Sequence, residues 1–172
     1  MSTTSSAGAA RWLTPDEDRA WRAFRRVMVA VRTGTARDLA AIGLSEADYE
    51  VLSTLSERPD HTSTLGEQAK KMGWSRSRLS RHATRMEVRG LLRRAPDPAD
   101  GRGCLLVLTD EGLDALKGAA PAHVESVRQH FIDHLAPEDL AALEQIARRL
   151  EGAAPEPVTT PAKSRPRGIP QK

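Results

Sequence analysis

Residues 74–94 read WSRSRLSRHATRMEVRGLLRR and hold seven arginines against one acid, Glu87. Guanidinium forks bond phosphate oxygens two at a time and also match the paired acceptors on the guanine edge. Serine hydroxyls, here Ser75, Ser77 and Ser80, are common donors to phosphate. The chemistry on offer is recognition of a polyanion. Extended back to Lys70 and Lys71, the segment 70–94 carries nine basic residues against that same acid, yet the whole chain has a net charge of only +3. Residues 1–10 carry no charge, and 153–172 carry four basic residues against one acid. The stretch 11–152 is therefore neutral overall, with acids elsewhere offsetting the basic segment. A neutral domain divided in this way has a positive pole suited to nucleic acid.

The elements that must position these residues follow from capping signals and periodicity. TPDE at 14–17 predicts a helix start with Thr14 as N-cap, Pro15 at N1 and Glu17 closing a capping box. Trp21, Phe24, Met28, Val31 and Leu39 recur at helical spacing, and Gly43 ends the helix. SEAD at 45–48 caps a second helix, and Arg58-Pro59-Asp60 breaks it. TLGE at 64–67 opens a short third helix that stops at Gly73. Ser75 caps a fourth running to Gly90. LLRRA then reads as a strand, PDPADGRG as a turn and CLLVLT as a second strand. Thr109 caps a long helix carrying Leu113, Leu116, Val124, Val127, Phe131 and Leu135, with Pro121 expected to bend it. Pro137-Glu138-Asp139 starts a last helix with Leu140, Leu143, Ile146 and Leu150. The predicted fold is mainly α with a small β-hairpin wing, in the order α-α-α-α-β-β-α-α.

Two short helices joined at Met72-Gly73-Trp74 form a helix-turn-helix. At about 100° per residue, Leu79, Ala83 and Met86 make the buried stripe of the second helix. Ser77, Ser80, Arg81, Thr84 and Arg85 occupy the far side, with Arg78 at its edge. Arg76 and Arg78 sit in the first turn, where acids are favoured, and no capping-box glutamate follows. That arrangement suits a helix N-terminus that receives an external phosphate. The hairpin adds Arg94 on a strand and Arg102 at a glycine-flanked tip, suited to a narrow minor groove. Asp100 could brace Arg102 or pair with an arginine of the helix.

These residues resemble the MarR family of winged-helix transcription regulators. The resemblance runs over about 14–150 and is carried by RMEVRGLLRR, DGRG and LTDEG within 65–112. It implies a winged helix-turn-helix, dimeric through its terminal helices, that binds an inverted-repeat operator and usually represses until a small molecule releases it. The family's recognition helix matches Ser75–Gly90. The residues expected to contact DNA are Ser63, Thr64, Lys70, Ser75, Arg76, Ser77, Arg78, Ser80, Arg81, Arg85, Arg94 and Arg102. The expected divisions are a lead over 1–13, a dimerisation helix over 14–44, the DNA-binding lobe over 45–112, C-terminal dimerisation helices over 113–151, and a flexible basic Pro-rich tail over 152–172. The apolar stripes of the terminal helices also ask for a partner, and a two-fold copy is the commonest one.

Family members often bind aromatic acids or phenols, so Arg11, Trp12, Trp21 and Trp74 are candidates for effector contact, weighed against simple packing. His123, His130 and His134 share one helix face, and the 130/134 spacing fits a metal, but no Cys or second such pair lies beside them. The expectation is no metal and no cofactor. Cys104 lies on a wing strand, reads as an inert thiol and cannot form an internal disulfide, which fits a reducing cytoplasm. No signal peptide or membrane span is expected. No Walker loop, G-x-S-x-G or HExxH is present, so an enzyme is not expected. Two alternatives stand beside a sequence-specific regulator: an architectural protein that coats DNA through its tail, and a sensing scaffold whose main partner is a protein.

Overall fold

The computed structural model describes residues 10–98 and 100–153, apart from the side chains of Arg102 and Ala153. Most of the expected lead and the tail from residue 154 on lie outside the described residues. The chain divides into two units, the first ending at His134 and the second beginning at Leu135.

Side-chain caps set the helix starts. In α1 (Pro15–Ala41), Thr14 Oγ1 accepts from the Glu17 amide, and Glu17 accepts from the Thr14 amide at 2.8 Å. Asp16, Glu17 and Asp18 then complement the positive end of the helix dipole. The same box recurs as Ser45 with Asp48 before α2 (Glu46–Ser56), and as Thr64 with Glu67 before α3 (Leu65–Lys71). Ser75 caps α4 (Arg76–Val88) by accepting from the Arg78 amide, without a reciprocal acid. Gly73, at φ 63°, and Gly90, at φ 73°, turn the chain sharply after α3 and α4 through the left-handed region that glycine adopts freely. The joint at Gly73 makes α3 and α4 a helix-turn-helix.

Three strands form one antiparallel sheet in the order β1-β3-β2, with β1 at Thr62–Thr64, β2 at Leu92–Asp97 and β3 at Asp100–Leu108. The first strand is an addition to the sequence-based order. Its three residues are too few for an alternating pattern. It forms because His61, at φ 52°, redirects the chain so that Ser63 pairs with Leu106. The wing turn is also tighter than expected: β2 and β3 extend into DPADGRG and pair Asp97 with Asp100, with an irregularity at Pro96/Asp97. Arg102 therefore belongs to β3 rather than to a free tip, and its side chain lies outside the described residues.

Helix α5 (Asp110–His130) continues through Pro121. It ends earlier than its apolar spacing predicted: Phe131 is the C-cap, a 3-10 turn follows at Ile132–His134, and Leu135 falls off the helix. In the second unit, α6 (Pro137–Ala153) starts where Asp139 accepts from the Ala136 amide at 2.9 Å.

The core of the first unit joins Val51, Leu52 and Leu55 of α2 with Leu79, Ala83 and Met86 of α4, closed by Leu92 and Leu106 of the sheet and Leu116 of α5. Gln68 is the polar exception, fully buried, and donates to the Thr54 hydroxyl. A polar staple ties the end of α5 to α1. Asp38 accepts from Ser126 at 2.7 Å and from His130 at 2.8 Å, and these bonds hold its carboxyl down at about 2. Gly34 makes room, since a Cβ there would stand 2.5 Å from the His130 ring.

The tightest approach is at the start of α5, where a Cβ on Gly112 would lie 1.9 Å from the Leu91 carbonyl oxygen, a backbone atom. Gly112→Ala should destabilise the protein by about 2–4 kcal/mol in urea unfolding. Gly118→Ala, in the same helix with nothing within 4 Å of its Cβ position, should instead stabilise it by about 0.5–1 kcal/mol.

Candidate nucleic-acid interface

The apolar stripe of α4 fixes which way its arginines point. Leu79, Ala83 and Met86 are fully buried, so Ser77, Arg81, Thr84 and Arg85 are exposed on the opposite side, with Arg78 beside them. Among the described residues, no carboxylate forms an ion pair with Arg78, Arg81 or Arg85. The first turn of α4 contains no acid. Arg78 lies over the Trp74 ring, 3.8 Å from its centroid. Arg78, Arg81 and Arg85 share a cleft of about 380 Å³ with Trp74, Ser45 and His82. Arg76 leans the other way, close over Gly66, in a second cleft also lined by Asp97 and Asp100 of the wing.

Beneath this face a buried carboxylate anchors the helix. Asp48, only 4% exposed, bonds the Ser45 amide at 3.0 Å within its capping box. It also accepts from Arg89, the C-cap of α4, at 2.7 Å. The other Arg89 nitrogen donates to the Gly43 carbonyl at 2.7 Å, so one guanidinium ties the end of α4 to the α1–α2 corner. His82 Nε2 stands 3.0 Å from the other Asp48 oxygen, off the line of a good hydrogen bond. Burial pushes the Asp48 carboxyl up, but the bonds from Ser45 and Arg89 outweigh it and leave the group below the usual carboxylate range. Burial also pushes the His82 imidazole down, against the pull of Asp48.

The wing is tied to α4 by a second ion pair. Arg94 donates to Glu87 at 2.8 Å and to the Ser80 carbonyl at 2.8 Å, and its amide donates to Glu87 at 3.0 Å. A helix-turn-helix with a basic outward face and a braced hairpin is a winged helix-turn-helix lobe. The MarR family model matches residues 44–104. The solved structure of AbsC, a MarR family transcriptional regulator from Streptomyces coelicolor, is 43% identical, with a TM-score of 0.76 over 83% of this chain and 99% of that one. This chain belongs to the MarR family. A second MarR family regulator from Streptomyces coelicolor, Sco3205, solved in complex with DNA, is 37% identical, with a TM-score of 0.79 over 84% of this chain and 95% of that one. The transcriptional regulator HosA of Escherichia coli O111:H- is 29% identical over 133 residues, 77% of this chain and 96% of that protein.

Within this MarR-family lobe, most of the expected contact residues divide into two groups. Ser75, Ser77, Arg78, Arg81 and Arg85 share the outward side of α4, and Lys70 is exposed at the end of α3. Ser80 is half-buried, its carbonyl taken by Arg94. Three residues are committed elsewhere. Ser63 is buried in β1, its hydroxyl on the Thr64 carbonyl. Thr64 spends its hydroxyl on both partners in the Glu67 cap. Arg94 is a brace between wing and helix, because Glu87, the next-to-last residue of α4, reaches it.

The four effector candidates have different surroundings within the single chain. Arg11 and Trp12 are exposed, with Arg11 3.8 Å from Glu17. Trp21 stacks on Phe24, while Trp74 packs against His82 and the core. Trp74 also lines the cleft of Arg78, Arg81 and Arg85. The three histidines of one predicted face also part company: His123 stacks on Tyr49, His130 bonds Asp38, and His134 bonds the Gln129 carbonyl. His82 and Arg89 escaped the sequence reading. His82 borders the Leu79–Met86 stripe, so a polar residue at the edge of a core face was the available signal.

Asp48→Asn should cost about 2–3 kcal/mol at neutral pH, because it leaves Arg89 without its buried counter-charge. The fold binds the charged carboxylate better than the neutral acid. Its contribution is therefore complete above the unfolded pKa and is lost as pH falls through the lower folded value. Urea midpoints of wild type and variant should converge as pH drops below the ordinary carboxylate range. A gap that stayed constant there would place the stabilisation elsewhere.

Proposed function

We propose that this protein is a homodimeric, sequence-specific DNA-binding regulator that binds a palindromic operator through α4, represses transcription there, and is released by a small effector. The observation that carries the reading is the outward side of α4. Arg78, Arg81 and Arg85 are exposed without carboxylate partners among the described residues, on a helix whose first turn lacks acids. Arginines at that spacing can read guanine edges in the major groove while the helix N-terminus holds phosphate. Membership in the MarR family supports a regulator rather than an enzyme, and the relative Sco3205 was solved in complex with DNA.

Two apolar faces support the dimer. On α1, Trp21, Phe24 and Met28 are 52%, 51% and 44% exposed, and on α6, Leu140, Leu143, Ile146 and Leu150 are also exposed. Exposed apolar surface of this extent marks an interface. A two-fold copy would place two recognition helices about 34–36 Å apart, one turn of DNA.

A cleft of about 260 Å³ between α1, α2 and α5 supports the effector. It is lined by Thr35, Leu39, Glu46, Tyr49, Glu50 and His123. Nδ1 of His123 is buried without a hydrogen-bond partner among the described residues, and burial pushes the imidazole down towards its neutral form. Two carboxylates and a neutral ring suit a phenolic hydroxyl and oppose an aromatic carboxylate. No helix among the described residues is long and apolar enough to cross a membrane.

The test is selection of bound duplexes from random DNA, with light scattering to measure the particle. Arg81→Ala should weaken binding to the selected sequence by about 1–3 kcal/mol and relax preference at one base position. Lys70→Ala should weaken all sequences alike and lower the salt slope by about 1. Uniform loss in both variants would refute base reading by α4. Removal of 152–172 separates the coating alternative, which expects most binding to vanish with the tail.

A further inference from the structure

One feature of the interface is not required for a helix merely to lie on DNA. His82 is 7% exposed, its ring edge-on to Trp74 at 5.6 Å, yet its Nδ1 emerges towards the basic face and stands 2.8 Å from the Arg85 guanidinium. A guanidinium has only donors, so Nδ1 must be the acceptor. A ring that accepts at Nδ1 carries its proton on Nε2, the atom beside Asp48. The Asp48 charge 3.0 Å from Nε2, though off the line of a good hydrogen bond, favours the tautomer whose free lone pair points at a surface arginine. An apolar side chain of similar size would fill the same space and leave Arg85 only its long 3.4 Å contact with the Arg81 carbonyl.

We propose that His82 is a positioning residue for base readout. Its neutral ring, held between Trp74 and the Asp48 charge, accepts a hydrogen bond from Arg85 and fixes the direction of that guanidinium, and protonation of the ring releases it. This rests on the reading of α4 as the DNA-recognition helix. The groups that face the ring support it from each side. Asp48 of α2 favours protonation, Arg78 and Arg85 of α4 oppose it, and Arg89 neutralises much of Asp48 through its 2.7 Å bond. Arg81 lines the same cleft. Burial is the largest influence and acts with the arginines. Protonation leaves Nδ1 with a hydrogen in place of its lone pair, facing the arginine's own hydrogens. Arg85 must then leave its direction, while the local positive charge rises. Generic attraction to phosphate is strengthened and discrimination among bases is weakened, so the two effects separate in one experiment.

The experiment measures Kd for the duplex recovered by selection and for a scrambled duplex, from about pH 8 to about pH 4.5, reaching below the ordinary histidine range because burial and the arginines lower the His82 imidazole. The readout is the ratio of the two constants, which cancels generic charge. In wild type the ratio should fall about tenfold towards the acid end, the size of one well-made guanidinium–guanine contact. His82→Asn places an amide oxygen near the Nδ1 position and does not titrate, so its ratio should stay high and flat. His82→Leu should have a low ratio at every pH. Arg85→Ala should also be low and flat, and adding His82→Leu to it should change nothing further. A pH-dependent fall that persists in His82→Asn overturns the proposal, as does a high ratio in His82→Leu. If Arg81→Ala and Arg85→Ala both leave the ratio at its wild-type value, the recognition role of α4 is what has failed.

Discussion

The orientation of the recognition helix depends on one carboxylate taken out of water. Asp48 sits at the N-terminus of α2, where its capping bond to Ser45 starts that helix, and it also meets Arg89 from the far end of α4. Arg89 in turn closes on the Gly43 carbonyl, left without an intrahelical partner by the end of α1. Three helix ends are therefore referred to one guanidinium–carboxylate pair. Such a pair adds little net stability over a well-packed apolar substitute, yet removal of either partner strands the other charge. Its value is in registry. It admits one rotation of α4 about the Leu79–Met86 stripe, and that rotation presents Arg78, Arg81 and Arg85 together.

The same economy governs the wing. Arg94, one of many arginines in a basic stretch, is withdrawn from solution by Glu87 and by the Ser80 carbonyl. The β2–β3 hairpin is thereby fixed to the flank of α4, and β1 extends the sheet through Ser63 and its neighbours into the turn that precedes α3. Positive charge in 70–94 is thus split between residues that build the lobe and residues that face outward. Mutual repulsion among the outward ones is tolerated because they are solvated, and an arriving polyanion would relieve it.

The first unit keeps its apolar residues inward on α2 and α4 and outward on much of α1. The contrast is informative because both regions have amphipathic spacing. A helix whose stripe is met by a neighbour in the same chain buries it. The stripe of α1 from Trp21 to Met28 is still half-exposed although the C-terminal half of that helix is stapled to α5 through Asp38, Ser126 and His130. The surface left open on α1 and on α6 is what the proposed symmetry partner would cover.

By itself the sequence determined the four side-chain-capped helix starts that lead to the recognition helix, its buried stripe, the hairpin and the family, because these rest on interactions within a few residues or on strict periodicity. Thr14–Glu17, Ser45–Asp48 and Thr64–Glu67 are contacts three residues apart, and Leu79, Ala83 and Met86 are neighbours on one face. Only the tertiary structure decided which polar residues serve the fold and which face outward. Arg94 and Arg85 look alike in a basic string, yet one finds Glu87 and the other does not. Asp48 and Arg89 are 41 residues apart, and nothing local announces their pairing. The three-residue strand β1 exists only because β3 offers it an edge. Charge and period are local properties; the partner of a buried charge is set by where the chain returns.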